Sequence, residues 1–180
     1  FDRDDYDYVL TGREQNQIHV VAENPDELGE KRIAVGPVDY PDDIGTHVRD
    51  PKILEHDGIY YMVLGARTKD DRGCVLVYTS SDLEDWSYAT RIELGEKFGF
   101  MWECPDLFEL DGELILVCCP QGVSADGWRY RNPHQCVWFP IEPIGRRRVL
   151  RSPGRACPRW SMPALISTHR SLLRMLRVGV

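Results

Sequence analysis

No stretch of the 180-residue sequence approaches 18 uncharged apolar residues, which excludes a membrane-spanning helix of the usual kind. The six cysteines, at 74, 104, 118, 119, 136 and 157, form no Cys-x-x-Cys pair and have no histidine at ligand spacing, so no zinc site is expected. A chain this long, 42% apolar, builds its own core without disulfide staples, and reduced thiols in a cytosolic protein are the expectation. Phe1-Asp2-Arg3-Asp4-Asp5 shows neither a start methionine nor a signal-peptide pattern, which places the expected true beginning upstream. Helical periodicity over eleven or more residues is absent from residues 15–135. Acidic residues are absent after Glu142. Residues 1–144 hold all 29 of them with 13 Lys and Arg, a net of −16, whereas residues 145–180 hold nine Arg and no Lys. The overall −7 therefore averages two unlike regimes.

What is present is β-structure. Gln17-Ile18-His19-Val20-Val21, Ile59–Leu64, Cys74–Tyr78 and Leu114–Cys118 are short runs rich in β-branched and aromatic residues. Asp57-Gly58, Asp71-Arg72-Gly73, Asp111-Gly112 and Asp126-Gly127 punctuate them as turns. Strands at short intervals without crossover helices predict an all-β, antiparallel meander.

A repeat narrows the architecture. Arg49-Asp50-Pro51-Lys52-Ile53-Leu54-Glu55-His56-Asp57-Gly58 aligns with Glu103-Cys104-Pro105-Asp106-Leu107-Phe108-Glu109-Leu110-Asp111-Gly112. The prolines, the apolar pairs, Glu55 and Glu109, and the Asp-Gly turns all match. A period near 50 residues made of successive short strands is the mark of a β-propeller blade, with a β-sandwich as the alternative. Propellers close with roughly four to eight blades. About two to three fit here, so the predicted fold is a partial propeller.

In a propeller the first strand of each blade lines the central channel. The repeat sets Arg49-Asp50 and Glu103-Cys104 at that edge in neighbouring blades, so Asp50 and Glu103 are the candidate carboxylates of one shared funnel. Glycoside hydrolysis uses such a pair, one group protonating the leaving oxygen and another acting on the sugar side. Glu103 lies among apolar neighbours, Met101-Trp102 and Cys104-Pro105, the setting expected of a proton donor. Asp50 follows Arg49, suited to stabilising a cationic transition state. The plainer alternative makes both residues strand-end turn formers.

Arg49-Asp50-Pro51 and Trp102-Glu103-Cys104-Pro105-Asp106 closely resemble the Arg-Asp-Pro and Glu-Cys-Pro motifs of glycoside hydrolase family 32, the family of invertases, levanases and sucrose-6-phosphate hydrolases. Tyr60-Tyr61-Met62-Val63 and Tyr78-Thr79-Ser80-Ser81-Asp82-Leu83-Glu84-Asp85-Trp86 agree with it, and Tyr6–Arg13 looks most like the bacterial sucrose-6-phosphate hydrolase branch. The resemblance covers about residues 6–135. It implies a five-bladed propeller usually followed by a β-sandwich, and retaining hydrolysis of a β-fructofuranoside, sucrose or sucrose 6-phosphate, without a metal or other cofactor. It implies Glu103 as general acid/base, Asp50 as the transition-state stabiliser that grips the fructosyl hydroxyls, Arg49 as a substrate-binding arginine and Cys104 as the residue tuning the acid/base. Trp102 is a candidate sugar platform or a core residue, and His47 a candidate pocket-rim residue. The family's nucleophilic aspartate, in a Trp-Met-Asn-Asp-Pro-Asn-Gly-like motif, has no counterpart, since Asn24-Pro25-Asp26 has the wrong order and context. The 180 residues alone are thus expected to be inactive.

Other segments carry weaker readings. Trp86 is expected to pack at a blade edge. Trp128-Arg129-Tyr130-Arg131 falls where the family has loops near its pocket, so Arg129 or Arg131 is either a phosphate contact or a solvated loop charge. Residues 136–180 are expected to be an Arg-rich, out-of-frame or disordered tail that no longer alternates. A basic amphipathic helix over Ala164–Val180 is the alternative. The acidic body argues against a nucleic-acid partner. Competing functions are an inverting furanosidase of a related five-bladed family, such as the arabinanases, and a non-catalytic carbohydrate-binding or pseudogene remnant.

Overall fold

The computed structural model describes residues 13–144, except 25 and 133, together with 149–151. Their strands are β1 (Gln17–Asn24), β2 (Glu27–Val35), β3 (Ile44–His56), β4 (Ile59–Thr68), β5 (Gly73–Ser80), β6 (Ser87–Ile92), β7 (Met101–Leu110), β8 (Glu113–Gln121), β9 (Val137–Ile144) and β10 (Val149–Arg151). The only helical turn among the described residues is the 3-10 segment Pro37–Asp39. The strands form an outlying β1–β2 hairpin and two four-stranded antiparallel meanders, β3-β4-β5-β6 and β7-β8-β9-β10. Each meander is one expected blade, and the two begin at the two copies of the sequence repeat.

The turns explain the register. Asp57 and Gly58 have φ of 52° and 74°, and Asp111 and Gly112 have 52° and 83°. Both central residues of these tight turns therefore occupy the left-handed region, which Asp tolerates and Gly adopts freely. The turns set Glu55 opposite Tyr60 and Glu109 opposite Leu114. Apart from a slip between Ile44 and Val48 near the start of β3, each first strand slips once, between Arg49 and Lys52 and between Glu103 and Asp106. The slips fall on Asp50-Pro51 and Cys104-Pro105. Proline cannot donate to a ladder, and Asp50 and Cys104 have φ of 61° and 48°. Both repeats are thus bulged at the same step, which bends the strand and re-aims the side chains beside it.

Alternation assigns the core to two layers. Val63, Val75, Val77, Ile92 and Leu94 from the first sheet meet Trp102, Leu107, Leu116, Cys118, Val137, Phe139 and Ile141 from the second. On the opposite face Met62, Leu64, Ala66, Cys74, Leu76 and Tyr78 pack with Val35, Ile44 and Val48. Burial pushes the Cys74 thiol up to about 12. Trp86 packs against this second layer. The indole of Trp102 stacks on Phe139 at 5.4 Å between ring centres, and its Nε1–H donates to the Phe98 carbonyl at 2.7 Å.

The expected end of the blade structure after Gln135 is corrected by β9. Val137, Phe139 and Ile141 alternate into the inter-sheet core, so strand periodicity runs past Cys136. Two prolines, Pro140 and Pro143, interrupt the β-branched look of this stretch and hide the strand. The segments 145–148 and 152–180, with the expected out-of-frame tail and amphipathic helix, lie outside the described residues, as does Tyr6–Gly12.

Candidate active site

The two bulged strands lie side by side, and residues 54 apart in sequence touch. The Glu103 carboxylate accepts two hydrogen bonds at Oε1 from Arg49, from Nη2 at 2.6 Å and Nε at 3.2 Å. Cys104, the counterpart of Asp50, donates its backbone N–H to Asp50 Oδ2 at 2.9 Å. Lys52 and its counterpart Asp106 form a third, more exposed pair at 3.5 Å. The repeat thus positions the site directly, because equivalent bulges of adjacent blades face each other.

Two glycines permit this approach. A side chain on Gly65, which pairs with Arg49, would strike the Trp102 carbonyl, and one on Gly73 would strike the Trp102 indole.

Sequence neighbours mislead about the setting of Glu103. Met101 and Trp102 are fully buried, and Trp102 turns into the inter-sheet core. The Glu103 side chain emerges on the other side of the strand, a quarter exposed, against an equally shielded Arg49. Its second oxygen, Oε2, accepts from Gln121 Nε2 at 2.5 Å. The expected apolar pocket is instead a polar clamp, and alternation along β7 is the reason. The same burial removes Trp102 as a sugar platform: at 1% exposure its ring has no face to offer. Nor does Arg49 serve Asp50 as expected from adjacency, for its guanidinium is turned to Glu103.

His47 is likewise buried, at 3% exposure, rather than on a rim. Its Nδ1 lies 3.0 Å from Arg49 Nη1. Arginine has no acceptor, so Nδ1 is the accepting atom of this contact. His47 alternates with Arg49 along β3 as expected, and it works from behind by holding the guanidinium. Gln15 anchors this region further, with Oε1 accepting from the Val48 N–H at 2.8 Å.

Gln121 is the residue that sequence reasoning missed. Counting the hairpin back from Asp111-Gly112 sets Pro120 opposite Glu103; the bulge at Cys104-Pro105 moves the partner to Cys119 and so brings Gln121, two steps on, to the same face. Cys104 is exposed, and partial burial together with the Asp50 carboxylate raises its thiol above the ordinary range. The loop after β8 keeps its arginines for itself. Arg131 Nε donates to the Gly127 carbonyl at 2.8 Å, and the Arg129 guanidinium lies over the Trp128 ring at 5.6 Å. Neither contact joins them to Glu103.

The arrangement offers a clamped, partly exposed carboxyl beside a second carboxylate fixed by a backbone N–H. Such a pair can exchange a proton at one group and hold negative charge at the other.

Comparison with known proteins agrees with the geometry. The family model of the glycosyl hydrolases family 32 N-terminal domain matches residues 4–142. Sucrose-6-phosphate hydrolase of Bacillus subtilis is 42% identical over 104 residues, 55% of this chain and 22% of that protein. The Klebsiella pneumoniae enzyme of the same name is 43% identical over 111 residues, 58% and 24% respectively. Among solved structures, sucrose-6-phosphate hydrolase from Lactobacillus gasseri superposes with a TM-score of 0.64 at 28% identity, covering 74% of this chain and 28% of that one. A mutant GH32 beta-fructofuranosidase of Bombyx mori in complex with sucrose gives 0.58 at 33% identity, covering 73% and 28%. The chain spans about a quarter of the length of the relatives it matches. Its two meanders are part of an all-β, five-bladed propeller. The chain belongs to glycosyl hydrolase family 32, and residues 4–142 fall within that family's N-terminal domain.

Proposed function

We propose that this chain is the acid/base-bearing part of a β-fructofuranosidase that cleaves the fructosyl bond of sucrose or sucrose 6-phosphate by a retaining route. The observation that carries the reading is the paired contact across the repeat, Arg49 to Glu103 and Cys104 N–H to Asp50, which places two carboxylates from adjacent blades in one network. Glu103 protonates the leaving oxygen and later takes a proton from the attacking water. Asp50 accepts hydrogen bonds from fructosyl hydroxyls and stabilises the positive charge that grows at the anomeric carbon. Arg49 and Gln121 hold the Glu103 carboxyl at fixed orientation. Trp102 supports this strand from the core, and Cys104 supplies the backbone N–H that fixes Asp50.

A retaining reaction also needs a nucleophile about 5–5.5 Å from the acid/base. No motif of the described blades supplies one, so the 180 residues complete a site only together with a nucleophile-bearing blade. The names of the relatives favour the phosphorylated sugar, and family membership separates this reading from an arabinanase-type inverting enzyme.

The test is a chimera in which residues 13–142 replace the matching stretch of the Bacillus subtilis sucrose-6-phosphate hydrolase. The chimera is expected to release fructose or its glucose 6-phosphate partner from these substrates, and the 180-residue chain alone to release none. A folded chimera without turnover, or turnover by the isolated chain that vanishes on Glu103→Gln, overturns the proposal.

A further inference from the structure

Three adjacent strands bring a second reactive group to the site. In β7–β8, Glu103 pairs with Cys119. In β8–β9, Cys118 pairs with Val137, and beyond the strand ends Gln121 bridges His134. Both pairs keep one antiparallel register, which sets Cys119 directly opposite Cys136 between them. Directly opposed residues share a face of a sheet. Glu103, Cys119 and Cys136 therefore stand in a row across β7, β8 and the residue just before β9. Cys118 turns the other way into the core.

The spacing suits a covalent bond. Opposed residues of antiparallel strands have Cα atoms roughly 4.5–5.5 Å apart. Disulfides span Cα separations of about 4.4–6.8 Å. The two side chains are both half-buried, neither sealed in the core nor fully in solvent, and their thiols are in hydrogen-bond contact.

We propose that Cys119 and Cys136 form a reversible dithiol–disulfide couple, operated by low-molecular-weight disulfides and set beside the Glu103 carboxyl.

The two thiols are polarised for the exchange. The hydrogen bond between Cys119 and Cys136 lowers the Cys136 thiol below the ordinary range, against the opposing effects of burial and of the Cys118 and Cys104 thiols. Cys119 is raised, first by that same hydrogen bond, then by burial and by Cys136, Glu103 and Asp50. Either thiol can open the exchange; with Cys136 as the attacking thiolate, Cys119 is the resolving thiol. The Cys136 thiolate attacks one sulfur of the small disulfide, forming a mixed disulfide and expelling one small thiolate. Cys119 gives up its proton and attacks the Cys136 sulfur, closing the protein disulfide and expelling the second. The pair loses two electrons and two protons, and the small disulfide becomes two thiols. The bond ties β8 to β9 and removes the thiol that stands next to Glu103 in register. The couple does not depend on the fructosidase reading, since its chemistry is complete within these two strands.

The reduced 180-residue chain is equilibrated in graded mixtures of reduced and oxidised glutathione, quenched in acid, alkylated, weighed and mapped by proteolysis. The expected product carries two alkyl groups fewer than the fully reduced chain, shows a Cys119–Cys136 peptide bridge and returns to the dithiol as reduced glutathione is raised. Cys119→Ser is expected to stop at one glutathione on Cys136. Cys136→Ser is expected to stop at one glutathione on Cys119. A chain that keeps all its thiols across the series overturns the proposal, and so does a bridge joining a different pair, such as Cys104 with Cys119 or Cys136 with Cys157. Should a serine variant lose its cooperative urea transition, the native chain's peptide map decides alone.

Discussion

Replacing Gly65 by alanine tests how the repeat builds the site. Gly65 lies opposite Arg49 on β4, and a Cβ there would come closer to the Trp102 carbonyl than real Cβ atoms come to any heavy atom. The obstacle is backbone, and that backbone leads directly into Glu103. No rotamer change relieves the contact, so β7 must move away from β3 and β4. Overpacking of this kind costs about 1–3 kcal/mol, and the upper end applies because main chain stands on both sides. The displacement also stretches the Arg49–Glu103 and Asp50–Cys104 contacts. For a chain of this size roughly 3 kcal/mol corresponds to a fall in Tm of about 6–12 °C. Gly95→Ala is the control: open space surrounds that position, and the expected effect is within about 1 kcal/mol of neutral. Urea unfolding of the two variants beside the native chain measures both. Equal midpoints for Gly65→Ala and Gly95→Ala would refute the claim that close approach at Gly65 sets the blade contact.

Two further predictions concern the clamp and the core. In the chimera, Arg49→Met is expected to lower kcat/KM by on the order of 10²-fold, the lower end of what positioned acid–base groups contribute, and Arg49→Lys to restore little because the two-point grip on Glu103 Oε1 needs the guanidinium fork. Full activity in the lysine variant would show that charge alone suffices. For the core, the Cys74 thiol is raised by burial from 9.0 to about 12 in the fold. The folded state therefore holds this proton more tightly than the unfolded chain. The contribution to stability is complete below about pH 9 and is lost as pH rises toward 12, at up to about 1.4 kcal/mol per pH unit in that window. Urea midpoints measured across it are expected to fall less steeply for Cys74→Ala than for the native chain, and parallel slopes would contradict the assignment.

Much of the fold was legible because the repeat and its turns act locally. Asp57-Gly58 and Asp111-Gly112 supply paired left-handed residues, and the hairpin registers follow from them. Even the bulges were implicit in Pro51 and Pro105, which cannot donate to the ladder. The surroundings of Glu103 were not legible from its sequence neighbours, because alternation sends Trp102 into the core and leaves Glu103 to partners 54 and 18 residues away, Arg49 and Gln121. The strand Val137–Ile144 was hidden for a different reason: two prolines mask a pattern whose apolar residues nonetheless alternate inward. Long-range register, rather than composition, decided both.

The central claim is that Glu103 hands a proton to the leaving group. The direct measurement compares Glu103→Gln with the native chimera on sucrose and on a β-fructofuranoside of an acidic phenol, whose departure needs no proton. Sucrose turnover is expected to fall by on the order of 10²–10⁴ while formation of the fructosyl intermediate from the phenol fructoside, followed as the phenolate burst, is nearly preserved. An equal loss on both substrates would contradict the assignment of Glu103 as the acid.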